Sequence, residues 1–111
     1  MNDQTVRFWQ MDDIQAQRRD QDKAYLEVLR VPPMSVGVYV LAVGSVDSQS
    51  PHEQDEMYLV TRGKARMRAG SADQLVGPGS LIYVAAEVKH QFYDIEEELT
   101  VLVFFAPAES Q

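Results

Sequence analysis

PHEQDEMYLVTRG, Pro51 to Gly63, runs from a polar opening into a strand-like stretch that ends on glycine. In extended backbone alternate side chains share a face, so Glu56 and Tyr58 point one way while Met57 and Leu59 point the other. If the strand persists back to its polar start, Ser50, His52 and Gln54 join the face of Glu56 and Tyr58. His52 then stands four residues before Glu56, and the second of the chain's two histidines, His90, lies 38 residues further on in AAEVKHQFYD. There His90, Phe92 and Asp94 share a face of another strand-like run. Where those two strands adjoin on the concave side of a barrel, His52, Glu56 and His90 converge. Two imidazoles and one carboxylate are a sufficient ligand set for a divalent first-row metal, with positions left open for water or substrate.

Outward from this stretch, everything after about Ala24 reads as β-structure. AYLEVLRV is punctuated by Pro32-Pro33, and MSVGVYVLAV runs on to Gly44. EMYLVTRG and KARMRAG have the form of a hairpin; GPGSLIYVAA, KHQFYDI and ELTVLVFFAP complete the set. Short strands with Gly/Pro turns at intervals of about 8–12 residues predict a sandwich or barrel and not alternating β-α-β units. Ahead of them, Met11 to Gln21 has mostly good helix formers, with Asp12 and Asp13 suited to the first turn and Met11, Ile14 and Arg18 on one face. APAESQ at the carboxy-terminal end is expected to be a loose tail.

With 111 residues the chain is expected to be one domain, 1–111, with a core barrel over about 24–107 and a helical segment over about 10–21. No cysteine is present, which excludes disulfides, thiolate zinc sites, iron–sulfur clusters and cysteine nucleophiles. Seventeen acidic against ten basic residues, a net charge of −7 and a pI near 4.6 repel phosphate backbones, so nucleic acid is not an expected partner. No apolar stretch follows a basic start at the N-terminus, and none elsewhere has the length of a membrane span. No membrane partner and a cytoplasmic location are therefore expected.

The spacings carry a family resemblance. The sequence resembles a small single-domain cupin over roughly Val36 to Phe105. The first family motif, G-x5-H-x-H-x3,4-E-x6-G, falls on Gly44, Ser50, His52, Glu56 and Gly63. The second, G-x5-P-x-G-x2-H-x3-N, falls on Gly79, Ala85, Glu87, His90 and Asp94, and the 15 residues between Gly63 and Gly79 match the family's usual gap. Serine stands where the family has its first histidine; Ala85, Glu87 and Asp94 replace the motif proline, inner glycine and asparagine. The resemblance implies an all-β fold, a cupin jelly-roll barrel (double-stranded β-helix) with a short N-terminal helix. It also implies one divalent metal ion, Fe, Mn, Ni or Zn, on His52, Glu56 and His90.

Ser50, the position of the missing histidine, shares the face of His52 by parity. Gln49 could swing in through its amide oxygen, although alternation turns it away. Tyr58 and Phe92 would line the pocket by the same parity. Asp47 reads as a turn former, Arg62, Lys64, Arg66 and Arg68 as a solvated strand face, and DIEEELT as a solvent-facing acidic turn. A metal site implies a small oxygen-rich molecule bound or transformed at the ion. The alternative is a metal-free barrel that binds a ligand or a protein without catalysis. Leu102, Phe104, Met57 and Leu59 point outward when Leu99, Val101, Val103 and Phe105 fill the interior, so a homodimer is expected to cover them, the competing account being that the helix of Met11 to Gln21 covers part of the patch.

Overall fold

The computed structural model describes residues 5–110. Helix α1, Met11–Gln21, precedes six strands: β1, Tyr25–Val31; β2, Met34–Leu41; β3, Asp55–Ala69; β4, Ala72–Val76; β5, Leu81–Val84; and β6, His90–Ala106. Asp12 and Asp13 in the first turn of α1 and Arg18 and Arg19 in the last oppose the partial charges of the helix ends. Its one buried residue, Ile14, packs on Leu26 and Val38, with Met11, Val28 and Leu102 around them. Leu102, expected on an open outer face, is therefore partly covered by the helix. Among the described residues no helix is long and apolar enough to cross a membrane.

All strand pairs are antiparallel, in the order β1-β2-β6-β3-β4, with β5 also on β3. Two long strands, β3 and β6, run beside each other for their whole length and carry the curl of the barrel. The hairpin expected between EMYLVTRG and KARMRAG is not there: both belong to β3. Gly63, with φ +97°, sits among the register shifts between Val60 and Arg66, and a Cβ at this position would collide with the Glu98 carbonyl and Leu99 Cα. The glycine thus marks a bulge where two backbones cross closely, not a turn. In the same way β6 absorbs KHQFYDI and ELTVLVFFAP, with Asp94 at φ 48° inside it. The true partner of KARMRAG is β4, which the sequence pattern did not reveal because four of its five residues are exposed.

The register sets the interior in rows. Ser35, Phe105 and Glu56 are cross-strand neighbours, and one step deeper lie Gly37, Val103 and Tyr58. Leu99, Val101, Val103 and Phe105 are all buried, as their parity predicts, and the core continues through Val60, Met67, Phe92 and Ile95. Tyr58 meets Phe92 edge-to-face at 5.0 Å. Arg62, Lys64 and Arg68 are exposed, with Arg66 and Arg68 paired to Asp73.

Candidate metal and ligand site

Glu56 comes from β3, His90 from the first position of β6, and His52 from the coil that leads into β3. One donor atom from each lies within 4.8 Å of the others. His90 Nε2 is 3.1 Å from Glu56 Oε1, and His52 Nε2 is 4.0 Å from the same oxygen. Glu56 and His90 are 2% and 4% exposed, so neither can turn to water. His90 Nδ1 donates to the Val88 carbonyl at 2.8 Å, which leaves Nε2 as a lone pair aimed at a carboxylate. Both Glu56 oxygens and His90 Nε2 lack hydrogen-bond partners. Two buried acceptors this close repel unless a cation lies between them, either a proton or a metal ion. Burial works against a charged His90, but Glu56 and the Val88 carbonyl outweigh it and raise its pKa above the ordinary histidine range.

Gln49 adds a fourth acceptor. The segment from Ser45 to Gln54 is coil, so strand parity does not govern it, and Gln49 turns in while Ser50 is exposed and lines no part of the cavity. The strand parity expected of the two positions is reversed for that reason: Ser50 is out of the pocket, whereas Gln49 reaches it through its amide, as the sequence allows. Gln49 Nε2 donates to Asp47 Oδ2 at 2.8 Å; since a carboxylate only accepts, this contact fixes the amide with its oxygen inward. That oxygen accepts from the Tyr58 hydroxyl at 2.9 Å and lies 3.2 Å from His52 Nε2. Atoms bound to one ion at about 2.0–2.2 Å and near a right angle lie about 3 Å apart, so separations of this size suit a common ion. The donor set fits a divalent metal.

Asp47 is 2% exposed and is no turn former. Besides Gln49 it accepts from the Tyr39 hydroxyl and the Phe92 amide, each at 2.9 Å, and so ties the coil to β2 and β6. No local signal in VDSQSP distinguishes it from a loop aspartate. The tail also departs from expectation. The Glu109 amide donates to Ser35 Oγ at 2.8 Å, and Gln54 Nε2 to Ser110 Oγ at 2.6 Å, which lays residues 107–110 over the barrel mouth. Glu109 Oε2 is then 3.6 Å from His52 Nδ1. Burial lifts the Glu109 carboxyl above its ordinary range, against the pull of His52.

A cavity of about 250 Å³ opens beside these groups, lined by Gln49, His52, Glu56 and Tyr58 together with Tyr25, Tyr39 and Glu109. Phe92, expected in its wall, lies behind Tyr58 in the core and does not line it. His90 does not line it either. It borders a second cavity of about 370 Å³ with Asp47, Gln49, Arg68 and Lys89.

A curled antiparallel sheet with clustered histidine and glutamate side chains inside its mouth is a cupin arrangement, and the comparisons agree. The family model for the cupin domain matches residues 37–106. An uncharacterized protein of Streptomyces coelicolor is 46% identical over 105 residues, 95% of this chain and 100% of that one. The structure of KdgF from Halomonas sp. aligns with a TM-score of 0.69 at 19% identity, covering 75% of this chain and 76% of that chain. The DMSP lyase DddQ from Ruegeria pomeroyi aligns with a TM-score of 0.64 at 18% identity, covering 68% of this chain and 39% of that chain. The chain belongs to the cupin family.

Proposed function

We propose that this cupin binds one divalent first-row metal through His52, Glu56 and His90, with Gln49 Oε1 as a fourth donor, and holds a small oxygen-bearing molecule beside it. The observation that carries this is the buried pair of acceptors, His90 Nε2 and Glu56 Oε1, 3.1 Å apart with no hydrogen-bond partner for either. An ion bound there would supply Lewis acidity to an oxygen of the bound molecule. The chain's own groups orient these donors: Val88 and Glu109 face the outer nitrogens of the two histidines, and Asp47 holds the Gln49 amide.

Metal analysis of untagged protein, before and after reconstitution with iron, manganese, nickel or zinc, tests this. About one ion per chain is expected, and His52→Ala or His90→Ala should weaken binding by at least about 100-fold, since even indirect supports of a ligand are worth 10–100-fold. A chain that takes up none of the four metals would overturn the assignment. The second reading is a metal-free ligand-binding or protein-interaction module, favoured by the fact that a proton on His90 serves the same acceptor pair.

We also propose that the protein is a homodimer. Val36, Phe104, Met57 and Tyr83 are successive cross-strand neighbours on the outer face, as are Leu102, Leu59 and Leu81. Tyr83 and Leu81 are 60% and 63% exposed, at the end that α1 does not cover. Light scattering should give about twice the 12.6 kDa chain mass; the single mass would refute the pairing.

A further inference from the structure

Three tyrosines line the 250 Å³ cavity, and the hydroxyls of two of them are committed. Tyr39 donates to Asp47 and Tyr58 to Gln49, each at 2.9 Å. The third, Tyr25 Oη, is buried and has no hydrogen-bond partner among the described residues. Leaving a buried hydroxyl unpaired forfeits its bond to water, so such a group asks for an explanation. Its placement is also built in. Tyr25 pairs with Tyr39 across β1 and β2, yet its ring runs along the inner face of β2 to lie over Gly37, where any Cβ would collide with Cζ, Oη and Cε1 of the ring. A glycine inside a strand weakens the strand; here it makes the seat on which the ring rests. Burial, together with Glu109, Glu27 and Glu56, raises the Tyr25 pKa, so the hydroxyl keeps its proton and can donate it.

The charges around the cavity narrow what it can hold. Glu56 and Glu109 are among its lining residues and no lysine or arginine is, so the two carboxylates would balance a divalent ion held beside Glu56 and leave the cavity without net charge. The cations Arg68 and Lys89 border the second cavity instead, on the far side of Gln49. A volume of 250 Å³ equals roughly eight water molecules at about 30 Å³ each, which suits a molecule of a few carbons.

We propose that Tyr25, seated on Gly37, is a ligand-anchoring hydroxyl, and that the cavity takes a small uncharged hydroxy-carbonyl compound or diol. One oxygen of that molecule accepts from Tyr25 Oη. The other faces Gln49, His52 and Glu56, and this half of the assignment rests on the metal-binding function proposed above.

Three probes of one carbon skeleton and different charge test it: hydroxyacetone, lactate and 1-amino-2-propanol. Each is titrated into isotope-labelled full-length protein, zinc-loaded and metal-free, following backbone amide shifts by NMR, with zinc content measured on the same samples. Hydroxyacetone should bind the zinc-loaded chain more tightly than either charged analogue. Tyr25→Phe should weaken it about five-fold, the worth of one neutral hydrogen bond, with zinc content unchanged. Gly37→Ala, which unseats the ring, should weaken hydroxyacetone at least as much, and lactate no more than hydroxyacetone.

Unchanged hydroxyacetone affinity in Tyr25→Phe would overturn the anchor and leave water as the partner of the hydroxyl. Tighter binding of lactate would overturn the uncharged class, in favour of a carboxylate on the ion where it needs zinc and of the side of Arg68 and Lys89 where it does not; tighter binding of the amine would overturn it in favour of the carboxylates. Absence of hydroxyacetone binding up to about 100 mM overturns the whole assignment. A chain that takes up none of the four metals but still loses hydroxyacetone on Tyr25→Phe refutes the metal and keeps the anchor. A zinc-loaded chain indifferent to Tyr25→Phe does the reverse.

Discussion

Asp47 offers the sharpest test of how the site is held, because two substitutions of it should behave differently. Its Oδ2 accepts from the Phe92 amide and from Gln49 Nε2, and its Oδ1 from the Tyr39 hydroxyl. Asp47→Asn can keep all three contacts: the remaining oxygen takes the place of Oδ2, and the new amide donates to the Tyr39 oxygen, which accepts as readily as it donates. Only the charge assistance is lost, about 1 kcal/mol. Asp47→Ala removes every acceptor. The Phe92 amide is then left buried and unpaired, at about 1–3 kcal/mol, and the bonds to Tyr39 and Gln49 add roughly 0.5–1.5 kcal/mol each. A loss of about 2–6 kcal/mol follows, a large share of the ~5–15 kcal/mol typical of whole domains. The Gln49 amide, no longer oriented, can also turn its NH₂ inward, so the alanine variant should bind metal about ten-fold more weakly, near the 1.4 kcal/mol expected for one misplaced donor. Urea unfolding of metal-free protein measures the first effect, and competition with a chromophoric chelator the second. Alanine and asparagine variants of equal stability, or an alanine variant with metal affinity within two-fold of the parent, would refute the role given to Asp47.

Ser50→His, which restores the histidine of the family motif, should leave metal affinity within about two-fold of the parent, because the side chain at 50 points to solvent from a coil. The same chelator competition checks it, and a clear gain would mean that the coil rearranges. Gly63→Ala forces a Cβ against the β6 backbone at a φ of +97° and should cost on the order of 3 kcal/mol in urea unfolding. Stability equal to the parent would show that the bulge is not required.

Where the backbone is regular, the sequence was a reliable guide. Glu56 and Tyr58 face inward, and so does the row from Leu99 to Phe105, because strand periodicity holds through those positions. It failed at Gln49 and Ser50, where the chain is coil and parity has no meaning. His52 reaches the site from that same coil, so its direction owes nothing to alternation. The division of β3 and β6 into shorter strands had a physical cause: glycine and charged residues read as turn punctuation, whereas Gly63 and Asp94 supply the positive φ of irregularities inside continuous strands. Tyr25 and Glu109 carry no signal in the sequence, and Asp47 reads there as a turn former, for another reason. Each owes its position to contacts distant in sequence, with Gly37, Phe92 and Ser35 in turn, and nothing in its neighbours announces them.

The folded-back tail bears on how this protein should be purified. Ser110 is bonded to Gln54, and Glu109 faces His52, so a polyhistidine tag fused after Gln111 would begin beside the barrel mouth. Short flexible tethers give effective concentrations in the millimolar range, so the tag's imidazoles would compete with the chain's own donors for any ion. The same fusion would load the segment that carries Glu109 and could draw it off Ser35. An amino-terminal, cleavable handle avoids both effects, and the difference in bound metal between the two fusions would itself report how firmly residues 107–110 lie over the site.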